Sequence, residues 1–193
     1  MLAPYLLLDA TPEFLRETMS QAPLPSVVLP DAIDAATAAD LRARLEASEL
    51  AAYALADRGR YHYSDTLVVD ELWEPLGALA ASVAEAPVAL VRARWIRQRR
   101  GDYSLVKDDS YTRPNGRHLE LALDLSSGNS GEADIVYVDG TAAVPVPQVG
   151  GVMSIVDRRG STTRYLRPPT IRGVAAGGFD VVRLFLQFQL VTN

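Results

Sequence analysis

The residues in this 193-residue chain whose types could carry chemistry gather in its C-terminal half. Lys107-Asp108-Asp109 sets three charges in a row shortly before the run "RHLELALDL". In that run His118 and Glu120 stand two apart, so a strand points both to one face, with Asp124 further along it. With Asp109 nearby in the chain, His118 and Glu120 would form an unconventional, oxygen-rich metal site. The competing reading is that leucine alternating with polar residues is the pattern of any half-exposed strand, and that "KDDS" is a solvent-facing turn. Lys107 acting as a base or nucleophile would need its pKa lowered by burial or by neighbouring cations. Asp108 and Asp109 push it the other way. Arg183, in "VVRLFLQF", sits in a strand too apolar to bury a guanidinium unpaired, so it must reach a carboxylate, a ligand or water.

Composition narrows the chemistry further. The chain contains no cysteine, which excludes disulfides, thiolate catalysis and cysteine-ligated metal centres. Its only imidazoles are His62 and His118, and His62 in "RYHYSD" reads as a packing or surface residue with no Ser-His-Asp arrangement around it. The formal net charge of -5 works against nucleic-acid and anionic-membrane binding, which need basic surfaces. "VRARWIRQRR" does hold five arginines, with Arg92, Arg94 and Arg100 sharing a face with Ile96; ion pairs with the excess acid are their expected use. The N-terminal apolar patch has no basic residue before it, and Asp9 and Glu13 interrupt it, so no membrane span is expected and the default location is cytoplasmic.

The elements that must position these residues change character along the chain. "TPEFLRETMS" predicts a short helix with proline in its first turn, and "PLPSVVLPDAI" a short strand between turns. "DAATAADLRARLEASELAAYAL" predicts a helix on Leu41, Leu45 and Leu50, and "DELWEPLGALAASVAEA" another on Leu72, Leu76 and Leu79, with Pro75 in its first turn or at a break. From "VALVRARWIRQRRGDY" onward the period becomes two: "RHLELALDLS", "ADIVYVDG", "GGVMSIVDRRG" and "DVVRLFLQFQLV" all read as strands. Tyr61, Tyr63, Trp73 and Tyr103 are expected to pad or close the core. Helices followed by short strands describe a sandwich or barrel flanked by helices, in one domain with helical support over about 1–90 and the barrel over about 91–193.

The order of these pieces resembles the prolyl 4-hydroxylase-like branch of the iron(II) and 2-oxoglutarate-dependent oxygenases. "SVVLPDAIDAATAADLRARL" is similar to that family's opening strand and helix, and "RQRRGDYSLVKDD" to the strand that leads into its His-x-Asp motif. "RHLELALDLSSGNSGEADIVYV" is similar to the next strand and its glycine-rich turn, "VPVPQVGGVMSIVDRRGSTTRYLRPP" to the strand with the second histidine, and "VVRLFLQFQL" to the last strand. The resemblance implies a mainly β fold with flanking helices (α+β), a double-stranded β-helix or jelly roll.

Carried over residue by residue, the resemblance places Lys107 at the first histidine position, Asp109 at the aspartate, Arg164 at the second histidine with Tyr165 as the adjacent alternative, and Arg183 at the 2-oxoglutarate-binding arginine. Tyr103 and Tyr165 join Arg183 as expected ligand-binding residues. Two of three metal ligands are thus replaced by cations. Arginine has no usable lone pair, and deprotonating a lysine at pH 7 costs roughly 4 to 5 kcal/mol from its ordinary pKa. The resemblance therefore implies a catalytically degenerate, metal-free protein with a binding or accessory role, whose arginine pocket suits a small dicarboxylate or other anion. The alternative is an active iron(II) and 2-oxoglutarate-dependent dioxygenase with an unusual ligand set. A protein partner, and homodimers through edge strands, stay open.

Overall fold

The computed structural model describes residues 1–66, 69–99, 101–112 (backbone alone over 110–112), 116–127, 135–147, 149–169 and 181–191. Arg100 and the glycine-rich turn expected after "RHLELALDLS" lie outside the described residues.

After a 3-10 turn at Pro4–Leu7, the helices are α1 (Thr11–Gln21), α2 (Ala35–Ala47), α3 (Asp70–Ala84) and the short α4 (Val106–Thr112). The strands are β1 (Ser26–Leu29), β2 (Ala51–Leu55), β3 (Gly59–Ser64), β4 (Val88–Gln98), β5 (Tyr103–Ser104), β6 (His118–Asp124), β7 (Ile135–Asp139), β8 (Ala142–Val146), β9 (Met153–Arg158), β10 (Thr163–Leu166) and β11 (Val181–Leu190). They pair antiparallel in the order β1-β9-β6-β11-β4-β3-β5-β10-β7-β8, with β2 added to β3. This nearly closed antiparallel barrel is the double-stranded β-helix, or jelly roll, with helices on one side. No helix among the described residues is long and apolar enough to cross a membrane.

Local chemistry sets the helix ends. Asp34 caps α2 by accepting from the Thr37 backbone N–H at 2.8 Å, and α3 carries Asp70 and Glu71 in its first turn, where the helix dipole favours acids. Pro75 lies inside α3 without ending it. The helix expected to run from "DAATAADL" through "AAYAL" stops at Ala47, and Ala51–Leu55 is instead a strand laid along β3. Helix propensity is overridden there by tertiary pairing: Tyr53 stacks on Tyr61 with ring centroids 4.8 Å apart. The stretch expected as helical support thus also supplies strands, since β1 pairs with β9 and β3 with both β4 and β5. At the β3–β5 junction a Cβ on Gly59 would lie 2.7 Å from the Tyr103 carbonyl oxygen, so only glycine permits that close approach.

The sheet has two buried faces. Leu119, Leu121 and Leu123 of β6 and Leu184, Leu186 and Phe188 of β11 pack outward with the helices, joined by Trp95. The alternate residues face the barrel interior, where Ile96, Ala122, Phe185, Tyr137, Val156 and Leu166 form a second cluster. Period two therefore sorts leucines to one core and charged residues to the other.

Candidate functional site

All seven residues of β6 are buried, so its polar face is not the solvent side of a half-exposed strand but the lining of the barrel. Glu120, fully buried, is its centre. One carboxylate oxygen accepts from Arg164 Nη1 at 2.9 Å and the Tyr137 hydroxyl at 2.8 Å; the other accepts from Arg158 Nη1 and Gln187 Nε2, each at 2.7 Å. Burial alone would raise the pKa of this carboxyl; Arg158 and Arg164 outweigh it and hold the group well below the usual range. Across the ladder Gln187 stands opposite Glu120, which is why its amide can reach.

Asp109 completes the cluster from α4. Its Oδ2 accepts from Arg158 Nη2 and, at 2.9 Å, from the Arg164 backbone N–H, while Arg164 Nε lies 3.7 Å from Oδ1. Arg164 also stacks on the Phe185 ring, 4.0 Å from its centroid. Asp109, Glu120, Arg158 and Arg164 thus form a buried quartet of two carboxylates and two guanidinium groups, formally neutral. Burial of charge is tolerated here because each group is both paired and hydrogen-bonded.

The three charges at 107–109 separate in space. They sit in a helix, not in a solvent-facing turn, and α4 turns Asp108 and Asp109 inward while Lys107 stays exposed and pairs with Asp57 at the surface. Asp108 accepts from the Tyr61 hydroxyl at 2.9 Å, and burial together with the Asp108 charge raises the Tyr61 pKa. Lys107 therefore occupies no ligand position beside Asp109. Tyr103 hydrogen-bonds the Ala56 carbonyl at 3.4 Å, and Tyr165 points to the opposite side of β10 from Arg164, so neither joins the quartet.

Arg183 lies on the interior face of β11, opposite Asp124 of β6. Its Nη1 donates to Gln98 Oε1 at 3.0 Å, and its Nε lies 3.8 Å from Asp124. Burial pushes the Asp124 carboxyl above the usual range even though Arg183 and Ser126 pull it down. Arg94 of the arginine-rich strand binds Asp65 through two bonds of 2.7 and 2.6 Å, the expected ion-pair use of that strand.

The donor set does not fit an iron(II) ion. The only nearby imidazole, His118, is buried with Nδ1 3.2 Å from the Gly116 carbonyl, and burial keeps it neutral by lowering its pKa. Its expected partners in an oxygen-rich metal site, Glu120 and Asp109, are both bound by guanidinium groups rather than left open to a cation. Among the described residues no group of three or more His, Asp or Glu is placed to hold a metal. The sequence reading missed Arg158, Tyr137 and Gln187. The signal for Arg158 was the continued alternation Ser154, Val156, Arg158 opposite outward Met153 and Ile155.

No protein-family model matches the sequence, and no curated protein matches it. Solved structures do. The non-heme alpha ketoglutarate dependent epimerase SnoN from nogalamycin biosynthesis superposes with a TM-score of 0.69 at 15% identity, covering 95% of this chain and 84% of that one. A Pseudomonas putida prolyl-4-hydroxylase gives 0.67 at 13% identity over 94% and 100% of the two chains. An oxidoreductase of the 2OG-Fe(II) oxygenase family from Burkholderia pseudomallei gives 0.64 at 11% identity over 94% and 92%. At these identities the likeness establishes the fold, which is the one the family resemblance implied.

Proposed function

We propose that this chain is a catalytically degenerate relative of the iron(II) and 2-oxoglutarate-dependent oxygenases, a metal-free protein with a binding or accessory role. The observation that carries the reading is the engagement of Asp109. The carboxylate matched to the family's metal-binding aspartate is held by the Arg158 guanidinium and the Arg164 N–H, and Arg164 itself, matched to the second histidine, is committed to Glu120. A divalent cation entering there would have to displace two fixed positive charges, and arginine offers it no lone pair. Function on a shared fold follows the site residues, and here they favour a structural network.

A small carboxylate ligand remains part of the reading, with Arg183 as its anchor. That arginine already faces Gln98 and Asp124, so an anionic ligand would be accommodated best with Asp124 protonated or displaced. The test is metal retention: protein incubated anaerobically with iron(II) and desalted should keep no stoichiometric iron, and should release no succinate from 2-oxoglutarate above a protein-free control. Retained iron, with succinate release abolished by Asp109→Ala, would replace this reading with that of an active dioxygenase.

A further inference from the structure

We infer that the face built from the N-terminal 3-10 turn, α1 and β1 docks a basic amphipathic segment of a partner protein. The apolar centre of this face is unusual for its exposure: Phe14 is 63% exposed and Tyr5 is 37%. The core side of α1 is already supplied by Leu15 and Met19, so Phe14 is not needed to fasten the helix. Tyr5 and Phe14 together line two hollows of about 710 and 210 Å³, the larger floored by Val27, Val28 and Leu29 of β1. Aromatic side chains around a concave apolar floor are what interface anchors seek.

The rim fixes the sign of the partner. Asp9, Glu13, Glu17 and Asp31 are all exposed around this face, and none of them forms an ion pair among the described residues. Glu13 and Glu17 stand four apart on α1, a like-charge spacing that disfavours the helix unless a cation is supplied from outside. The one cation of α1, Arg16, is turned away to α3, where it donates to the Ser82 carbonyl at 2.7 Å and lies 3.5 Å from Glu85. The Tyr5 hydroxyl, its pKa raised by burial and by the charge of Asp31, registers the same negative potential. A second copy of this chain would bring the same four acids into a two-fold contact, and an anionic membrane would be repelled. A helix with leucines on one face and lysines or arginines on the other satisfies both centre and rim.

This surface shares no residue with the barrel quartet, so it stands whether or not metal binds. The probe is a fluorescently labelled 14-residue Leu/Lys amphipathic peptide, with a Leu/Glu peptide of the same pattern as control, read by anisotropy. The Lys peptide should bind and the Glu peptide should not. Tyr5→Ser with Phe14→Ser should weaken binding by about tenfold or more, and Glu13→Gln with Glu17→Gln and Asp31→Asn should weaken it several-fold and flatten its salt dependence. Leu55→Ser, an exposed apolar residue on β2, should change nothing. The inference is overturned by no binding up to about 100 μM, by equal binding of the Glu peptide, or by binding indifferent to the Tyr5 and Phe14 changes. It is equally overturned by dimers that Phe14→Ser disperses, or by adsorption to anionic vesicles that the same change abolishes.

Discussion

Replacing Glu120 by glutamine keeps the size of the side chain and removes its charge from the centre of the barrel. The carboxylate accepts four hydrogen bonds, two of them from guanidinium groups, and is fully buried. In Glu120→Gln the two arginines would share Asp109 as their remaining acid of the quartet, and the amide nitrogen would face a donor. Breaking a buried pair by removing one partner costs about 3 to 5 kcal/mol, and the surviving contacts to Asp109 place this case near about 3 kcal/mol. In a chain of this size that corresponds to a fall in Tm of about 6 to 12 °C. Urea unfolding followed by circular dichroism and by fluorescence of the buried Trp95 should show the loss with an unchanged m-value. The effect should also depend on pH in a defined direction. The folded-state pKa of Glu120 lies below its unfolded value near 4.3, so the wild-type advantage is complete above about pH 5 and shrinks as pH falls through the folded pKa. A loss under about 1 kcal/mol, the range of exposed ion pairs, would refute the claim that the quartet is a dry structural network.

Asp124 should respond with the opposite sign. Its carboxyl is raised by burial, so its contribution to stability is present below the unfolded pKa near 3.9 and is lost as pH rises through the folded value. Asp124→Asn should therefore compare more favourably with wild type at pH 8 than at about pH 3, below the unfolded pKa, measured as a difference in Tm; an unchanged difference would remove the assigned shift. Lys107→His should bind no manganese(II) and should alter stability by less than about 0.5 kcal/mol, because the side chain is exposed on the outer side of α4. Metal binding gained by that single change would mean that residue 107 reaches the interior after all.

Much of the architecture was legible because period-two alternation is read by two different environments. In β6 and β11 the leucines meet the helices and the polar partners meet the barrel, so one pattern reports both faces. What alternation cannot report is whether the polar face is wet. His118, Glu120 and Asp124 look like solvent-side residues until Tyr137, Arg158 and Arg164, which come from other strands, are brought against them. The site was partly legible in the same way: Asp109, Arg164 and Glu120 were singled out by spacing and resemblance, yet their mutual bonding depends on Arg158, which lies within the expected strand "GGVMSIVDRRG" and was given no role. Lys107 was misplaced because three consecutive charges say nothing about which side of a seven-residue helix each will take. Ala51–Leu55 was misread because alanine favours helix while the β3 edge and Tyr61 favour a strand.

The most direct measurement is anaerobic calorimetric titration of metal-stripped protein with manganese(II), a redox-stable stand-in for iron(II), in the absence and presence of 2-oxoglutarate. No metal binding is expected in either titration, with at most weak binding of the dicarboxylate itself. Stoichiometric manganese binding that 2-oxoglutarate tightens and Asp109→Ala abolishes would contradict it, because the carboxylate assigned here to Arg158 and Arg164 would then be free to hold a metal.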